Sequence, residues 1–117
     1  MTTASNAPVR AIDPRISLRG CNVELSLMGL GTWSWGDRST WGMNAYDRSY
    51  NFDTIREAYR ASVAAGITFL DTAEAYGNGE SERIIGRLLE EDRERREHIV
   101  VATKFIPFPW KVALTAR

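Results

Sequence analysis

The sequence predicts an α/β fold built on a parallel sheet, and three observations carry that prediction. Apolar segments of strand length alternate with amphipathic segments of helix length, in the order hairpin, strand, helix, strand, helix, strand. The strands between helices are short and almost continuously apolar, the habit of strands in parallel sheets. Breakers mark element ends, with Gly66 after the first helix and Pro107 and Pro109 after the last strand.

Each element follows from its residues. Ile16 and Leu18, then Val23, Leu25 and Leu27, alternate on either side of Arg19-Gly20-Cys21-Asn22, the pattern of a β-hairpin. Apolar character continues from Leu25 through Met28-Gly29-Leu30-Gly31-Thr32 to Trp33, as in a buried strand ending in a tight turn. Residues 34–51 form a long loop, and connections of that size are functional or disordered. This one holds Trp35, Trp41, Tyr46 and Tyr50, suited to lining a pocket or covering a rim rather than to floating in water. Asp53 is expected to cap the first helix, where Ile55, Ala58, Tyr59, Ser62 and Val63 recur at helical spacing until Gly66 stops it. Ile67-Thr68-Phe69-Leu70 then reads as a strand buried on both faces.

After a loop at 71–79, Ser81 and Glu82 start a second helix, with Ile84, Ile85, Leu88 and Leu89 as its apolar stripe. Its tail, 90–97, reads as a solvated helix face with pairs Glu91–Arg95, Asp92–Arg96 and Arg93–Glu97 at i,i+4. Ile99-Val100-Val101-Ala102-Thr103 is the last strand, closed off by Pro107 and Pro109. Right-handed crossovers between such strands leave a doubly wound sheet or a (β/α)8 barrel, and the pattern alone does not choose.

Composition narrows the function. Of 117 residues, 44% are hydrophobic and 26% charged, the balance of a globular chain. Fifteen basic and fifteen acidic side chains cancel, which argues against nucleic acid or an anionic membrane as partner. No apolar run approaches the roughly 20 residues of a membrane span. The single cysteine, Cys21, excludes an internal disulfide and suits a reducing, cytoplasmic setting. Residues 1–15 lack the apolar core of a secretory signal and are expected to be a flexible N-terminus.

In either architecture, ligand sites form at the carboxyl ends of the parallel strands. Those ends are Gly31-Thr32-Trp33, Asp71-Thr72-Ala73-Glu74-Ala75-Tyr76-Gly77 and Thr103-Lys104. Asp71 and Lys104 therefore share an edge of neighbouring strands, which lie about 4.8 Å apart, so an ion pair is expected. Tyr76, in the same loop, reaches back toward it. A phenol beside an ammonium that a carboxylate keeps charged makes a proton donor, because the ammonium favours the phenolate. Such an acid suits carbonyl reduction, where negative charge develops on oxygen as hydride reaches carbon. The hydride itself requires a cofactor.

At this point the residues resemble a known family. Leu30-Gly31-Thr32-Trp33, Phe69 through Gly77, Ser81-Glu82 with Gly86, and Val101-Ala102-Thr103-Lys104 are together similar to the aldo-keto reductases. The resemblance implies the N-terminal part of a (β/α)8 TIM barrel, with an N-terminal β-hairpin and three parallel barrel strands, partial over residues 16–117. It implies NADP(H) as cofactor and a small-molecule aldehyde or ketone as substrate, reduced to the alcohol. It further implies Tyr76 as general acid, Lys104 as the residue that lowers its pKa and Asp71 as the residue that positions Lys104. Thr32, Trp33 and Asp71 match positions lining the nicotinamide-ribose end of the cofactor site, and Gly31 is compatible with close cofactor approach. No residue is assigned to a metal.

The family also carries a catalytic histidine on the following strand, beyond this sequence. His98 stands roughly 20 Å of strand away from Lys104 and is expected to be structural. Glu74 is expected at the loop surface and Cys21 to be inert. Barrels of this kind need about 250 residues, so the isolated chain is expected to be unstable, oligomeric or aggregation-prone. Two alternatives stay open: a non-catalytic NADPH-binding regulatory subunit related to channel beta subunits, and a truncated product without function.

Overall fold

A computed structural model describes residues 15–109. The expected flexible segment up to residue 14 and everything after 109 lie outside them. Arg15, expected to close that segment, is instead the first residue of a strand. β1 (Arg15–Ser17) and β2 (Glu24–Ser26) pair antiparallel as the expected hairpin. β3 (Gly29–Gly31), β4 (Phe69–Asp71) and β5 (Val100–Ala102) form a separate parallel sheet in that order. Helix α1 (Phe52–Ala64) joins β3 to β4, and α2 (Glu80–Glu91) joins β4 to β5.

The apolar run from Leu25 is thus two strands in two sheets rather than one. Ser26 makes the break: its buried hydroxyl donates to the Met28 carbonyl at 2.6 Å and accepts from the Thr68 amide at 3.0 Å. The chain turns there and ties the hairpin to the foot of β4. In the parallel sheet, Gly29, Leu30 and Gly31 stand opposite Phe69, Leu70 and Asp71, which stand opposite Val100, Val101 and Ala102. Gly29 is required by packing, since a Cβ there would come within 2.7 Å of the Phe69 ring.

The first helix is capped by Asn51, not by the expected Asp53. The Asn51 side chain accepts from the amides of Asp53 and Thr54, while the Thr54 hydroxyl accepts from the Asn51 amide, a reciprocal box. Asp53 sits in the first turn, where its charge suits the helix dipole and pairs with Arg56 at 2.7 Å. Gly66 ends the helix as expected: at φ +90° its amide donates to Val63, and the Ile67 amide donates to Ser62, a Schellman closure.

The core lies between the sheet and its helices. Ile55, Tyr59 and Val63 of α1 meet Ile84, Ile85 and Leu88 of α2 over Leu70 of β4, with Trp35 and Met43 from the long loop. Burying such side chains stabilises by about 1.5–3 kcal/mol each. β4 is not buried on both faces as expected: Leu70 is fully buried against the helices, whereas Phe69 and Asp71 on the other face are half-buried.

The expected i,i+4 pairs of the 90–97 tail do not form, because the helix ends first. Asp92 leaves helical geometry (φ −113°, ψ 49°), with its carboxylate accepting from the buried Tyr59 hydroxyl at 3.0 Å and from Arg95 at 2.9 Å. Glu91 turns instead to Arg56 of α1 at 2.7 Å, and Arg93 pairs with Glu90. The Arg56 guanidinium holds the Glu91 carboxyl below its usual range. No helix among the described residues is long and apolar enough to cross a membrane.

Candidate active site

The parallel register sets Gly31, Asp71 and Ala102 side by side at the carboxyl edge of the sheet. Beyond it the ladder continues irregularly: the Thr72 amide donates to Ala102 at 2.8 Å and the Glu74 amide to Lys104 at 3.0 Å. These bonds bring the loop after β4 alongside the chain after β5, and Lys104 is thereby aimed back across the rim. Its ammonium donates to Asp71 Oδ1 at 2.7 Å and to the Thr72 carbonyl at 2.7 Å. The expected ion pair is present, half-exposed at the rim. The hydrogen bond to Asp71, with a smaller contribution from the Tyr76 phenol, raises the Lys104 pKa above that of an ordinary lysine.

Tyr76 completes the cluster, with the Lys104 ammonium 5.2 Å from its ring centroid. The chain turns sharply directly after it. Gly77, Asn78 and Gly79 take consecutive left-handed conformations (φ +56°, +55° and +90°), reversing the chain into α2. Gly77 also approaches the backbone of Gly36, where a Cβ would stand 2.8 Å from the Gly36 carbonyl carbon. Two loops touch main chain to main chain here, and only glycine fits both demands.

The Gly31-Thr32-Trp33 end divides in two. Gly31 leaves open space where a side chain would stand, and the Trp33 indole is 59% exposed, 6.4 Å from the Tyr76 ring and tilted 33° to it. Thr32 is fully buried and points away from this surface. Its amide and hydroxyl both donate to the Asp71 carbonyl at 3.1 Å, and the buried Ser81 hydroxyl donates to Thr32. The Thr72 hydroxyl, also buried, lies 2.9 Å from Ser81 Oγ. A relay from Thr72 through Ser81 and Thr32 to the Asp71 carbonyl therefore clamps β3, β4 and α2 directly behind the rim. Ser81, expected only to start a helix, holds the middle of that relay. Its partners lie 9 and 49 residues away, so no local pattern marks them.

The long loop is organised rather than floppy. Trp35 and Met43 are buried in the core, and Tyr50 donates to Ser34 Oγ at 2.8 Å. Asp37 accepts from the amides of Ser39, Thr40 and Trp41 and from the Ser39 hydroxyl. Desolvation pushes its carboxyl up, but these bonds outweigh that and hold it below the usual range. Trp41 meets Trp33 edge to face, with ring centroids 5.9 Å apart. Glu74 is half-buried and accepts from the Ile106 amide at 3.3 Å. His98 sits in the 3₁₀ turn Arg96–His98, before β5 and so at the opposite end of that strand from Lys104. Cys21 is an exposed free thiol in the hairpin turn.

The rim fits a nicotinamide cofactor in the chemistry of its surface. An exposed indole face suits a flat ring, Gly31 leaves room for close approach, and half-exposed Asp71 offers acceptors for hydroxyl groups. The family model described as "Aldo/keto reductase family" matches residues 27–117. This chain belongs to the aldo/keto reductase family.

Family relatives agree in sequence and in fold. The chain is 37% identical over 97 residues to the chloroplastic pyridoxal reductase of Arabidopsis thaliana, covering 77% of this chain and 26% of that protein. It is 42% identical over 90 residues to the NADH-specific methylglyoxal reductase of Escherichia coli, covering 77% and 26%. Among solved structures, an aldo-keto reductase from Pseudomonas aeruginosa superposes with a TM-score of 0.64 at 27% identity, over 87% of this chain and 35% of that one. An aldo-keto reductase from Klebsiella pneumoniae solved with NADPH superposes with a TM-score of 0.56 at 28% identity, over 81% and 29%. The chain thus spans about a quarter of the length of these curated relatives. Its hairpin and three parallel strands form an arc of the barrel those structures share.

Proposed function

We propose that the protein reduces aldehydes or ketones to alcohols with NADP(H), using the cluster of Tyr76, Lys104 and Asp71 as its proton donor. The observation that supports this most is the Lys104–Asp71 bond of 2.7 Å beside the Tyr76 ring, on the rim where Gly31 and Trp33 present open surface. Asp71 fixes the ammonium and keeps it charged. Lys104, so placed, stabilises negative charge on the phenol oxygen as its proton leaves. Tyr76 hands that proton to the carbonyl oxygen as charge builds there. The nicotinamide, when bound, supplies the hydride. Trp33, Gly31 and Asp71 hold its nicotinamide-ribose end, and Thr32 serves the same site from behind, through the Asp71 carbonyl.

NADP(H) is preferred on the resemblance and on the NADPH-bound relative, although the methylglyoxal reductase is named as NADH-specific. The relatives' names include pyridoxal, methylglyoxal and aryl-alcohol chemistry, so they point to small carbonyl compounds without choosing among them. The test is Tyr76→Phe in the full-length protein. Carbonyl reduction should be lost while NADPH binding, read by fluorescence titration, is retained. Undiminished turnover would remove Tyr76 as the acid.

A further inference from the structure

The first turn of α2 reaches all three strand ends that build the rim. Ser81 bonds to Thr32 after β3 and to Thr72 after β4. The next residue, Glu82, is half-buried and accepts from the Thr103 hydroxyl after β5 at 2.6 Å. A hydroxyl donated to a carboxylate makes a bond about twice as strong as one between neutral groups.

Thr103 stands between Ala102, the last residue of β5, and Lys104. Successive side chains of an extended chain leave on opposite faces. Ala102 is in register with Asp71, which takes the Lys104 ammonium at 2.7 Å, so Lys104 leaves on the face away from the helices. Thr103 leaves toward the helices, where Glu82 meets it. The other bonds on this segment run along one edge of its main chain: the Thr72 amide to the Ala102 carbonyl at 2.8 Å, and the Glu74 amide to the Lys104 carbonyl at 3.0 Å. Bonds along a single edge leave the chain free to roll about that edge, and a roll swings the Lys104 side chain. The Glu82 carboxylate, pulling on Thr103 from the helix layer, opposes it.

We propose that Glu82 is a positioning residue for Lys104, acting through the Thr103 hydroxyl. The inference rests on the reading of Lys104 as part of the proton donor. An acid in the first turn of a helix also suits the helix dipole, but Glu80 shares that role and pairs with Arg83 rather than with a strand end. Glu80 is therefore the control.

The test uses the full-length protein with isotope-labelled lysine. The Lys104 Cε resonance should move in Glu82→Ala and in Thr103→Val. Glu82→Gln, which still offers an acceptor, should return it toward the parent position, and Glu80→Ala should leave it in place. With methylglyoxal as substrate, Glu82→Ala should lower kcat about tenfold without changing KM for NADPH, since small misplacements of a reacting group are costly. In a Lys104→Met background the same change should cost less than about twofold, because nothing is left to position. A resonance indifferent to Glu82→Ala, or moved as far by Glu80→Ala, overturns the proposal. So do equal kcat losses with and without Lys104. If Lys104→Met reduces methylglyoxal as fast as the parent, the proton-donor reading fails separately and the resonance alone judges the placement.

Discussion

Replacing Ser81 by alanine tests the hydroxyl relay behind the rim, and its cost follows from an inventory of protons. Ser81 has one proton and gives it to Thr32, at 2.8 Å to the hydroxyl or 3.0 Å to the carbonyl. Thr32 passes its own proton to the Asp71 carbonyl. The remaining Ser81 contact, at 2.9 Å, is then a bond donated by Thr72. Without Ser81 Oγ, the Thr32 carbonyl still accepts from the Trp35 amide and the Thr32 hydroxyl still donates to Asp71. Thr72 alone is orphaned, and it is 1% exposed. A buried unsatisfied hydroxyl costs about 1–3 kcal/mol and the lost bond to Thr32 about 0.5–1.5. Alanine returns about 0.5 kcal/mol through its helix propensity. Ser81→Ala should therefore destabilise by about 1–4 kcal/mol in urea unfolding. Removing the orphan as well, in Thr72→Val/Ser81→Ala, should recover most of that, because two apolar partners leave nothing unpaired. A single-variant loss under about 0.5 kcal/mol, or a double variant as costly as the sum of the singles, would refute the relay.

Other expectations follow from single contacts. Gly77→Ala forces a Cβ against the Gly36 backbone and into a left-handed conformation costing about 1–2 kcal/mol, so it should displace Tyr76 and reduce turnover at least tenfold. Asn78→Gly, at the next left-handed position, should stay within about 0.5 kcal/mol of the parent by the same unfolding assay. Burial, aided by the Asp92 carboxylate, pushes the Tyr59 phenol up to about 12, against about 10 in the unfolded chain. The folded state therefore keeps a proton that the unfolded state releases, and this stabilisation, complete below pH 10, is lost as pH rises toward 12. Tyr59→Phe should flatten that alkaline loss in urea unfolding between pH 9 and 12, and a slope identical to the parent's would contradict the assignment.

Much of this was legible in the sequence because topology does the placing. Once Phe69–Asp71 and Val100–Ala102 are neighbouring parallel strands, Asp71 and Lys104 must share a rim, and the ion pair follows from strand spacing. The helix stripes around Ile55 and Ile84 followed from their periods. What escaped depended on partners distant in sequence or on a choice between equals. Asn51 and Asp53 are both good caps, and Thr54, placed to answer Asn51, decides between them. The tail after Glu91 carries no glycine or proline to announce the helix end, which comes from Asp92 turning to Tyr59 across 33 residues. Thr32 reads as a cofactor contact from its place in the Gly31-Thr32-Trp33 motif, yet its hydroxyl is spent inside the fold on the Asp71 carbonyl.

The central claim is that the phenol, ammonium and carboxylate act as one proton-donating unit, and a double-mutant cycle on kcat tests it most directly. Tyr76→Phe and Lys104→Met should each lower carbonyl reduction by about 10²- to 10⁴-fold, and the double variant should fall little further, as for groups that act together. Losses that multiply in the double variant would show two independent contributions and contradict the account.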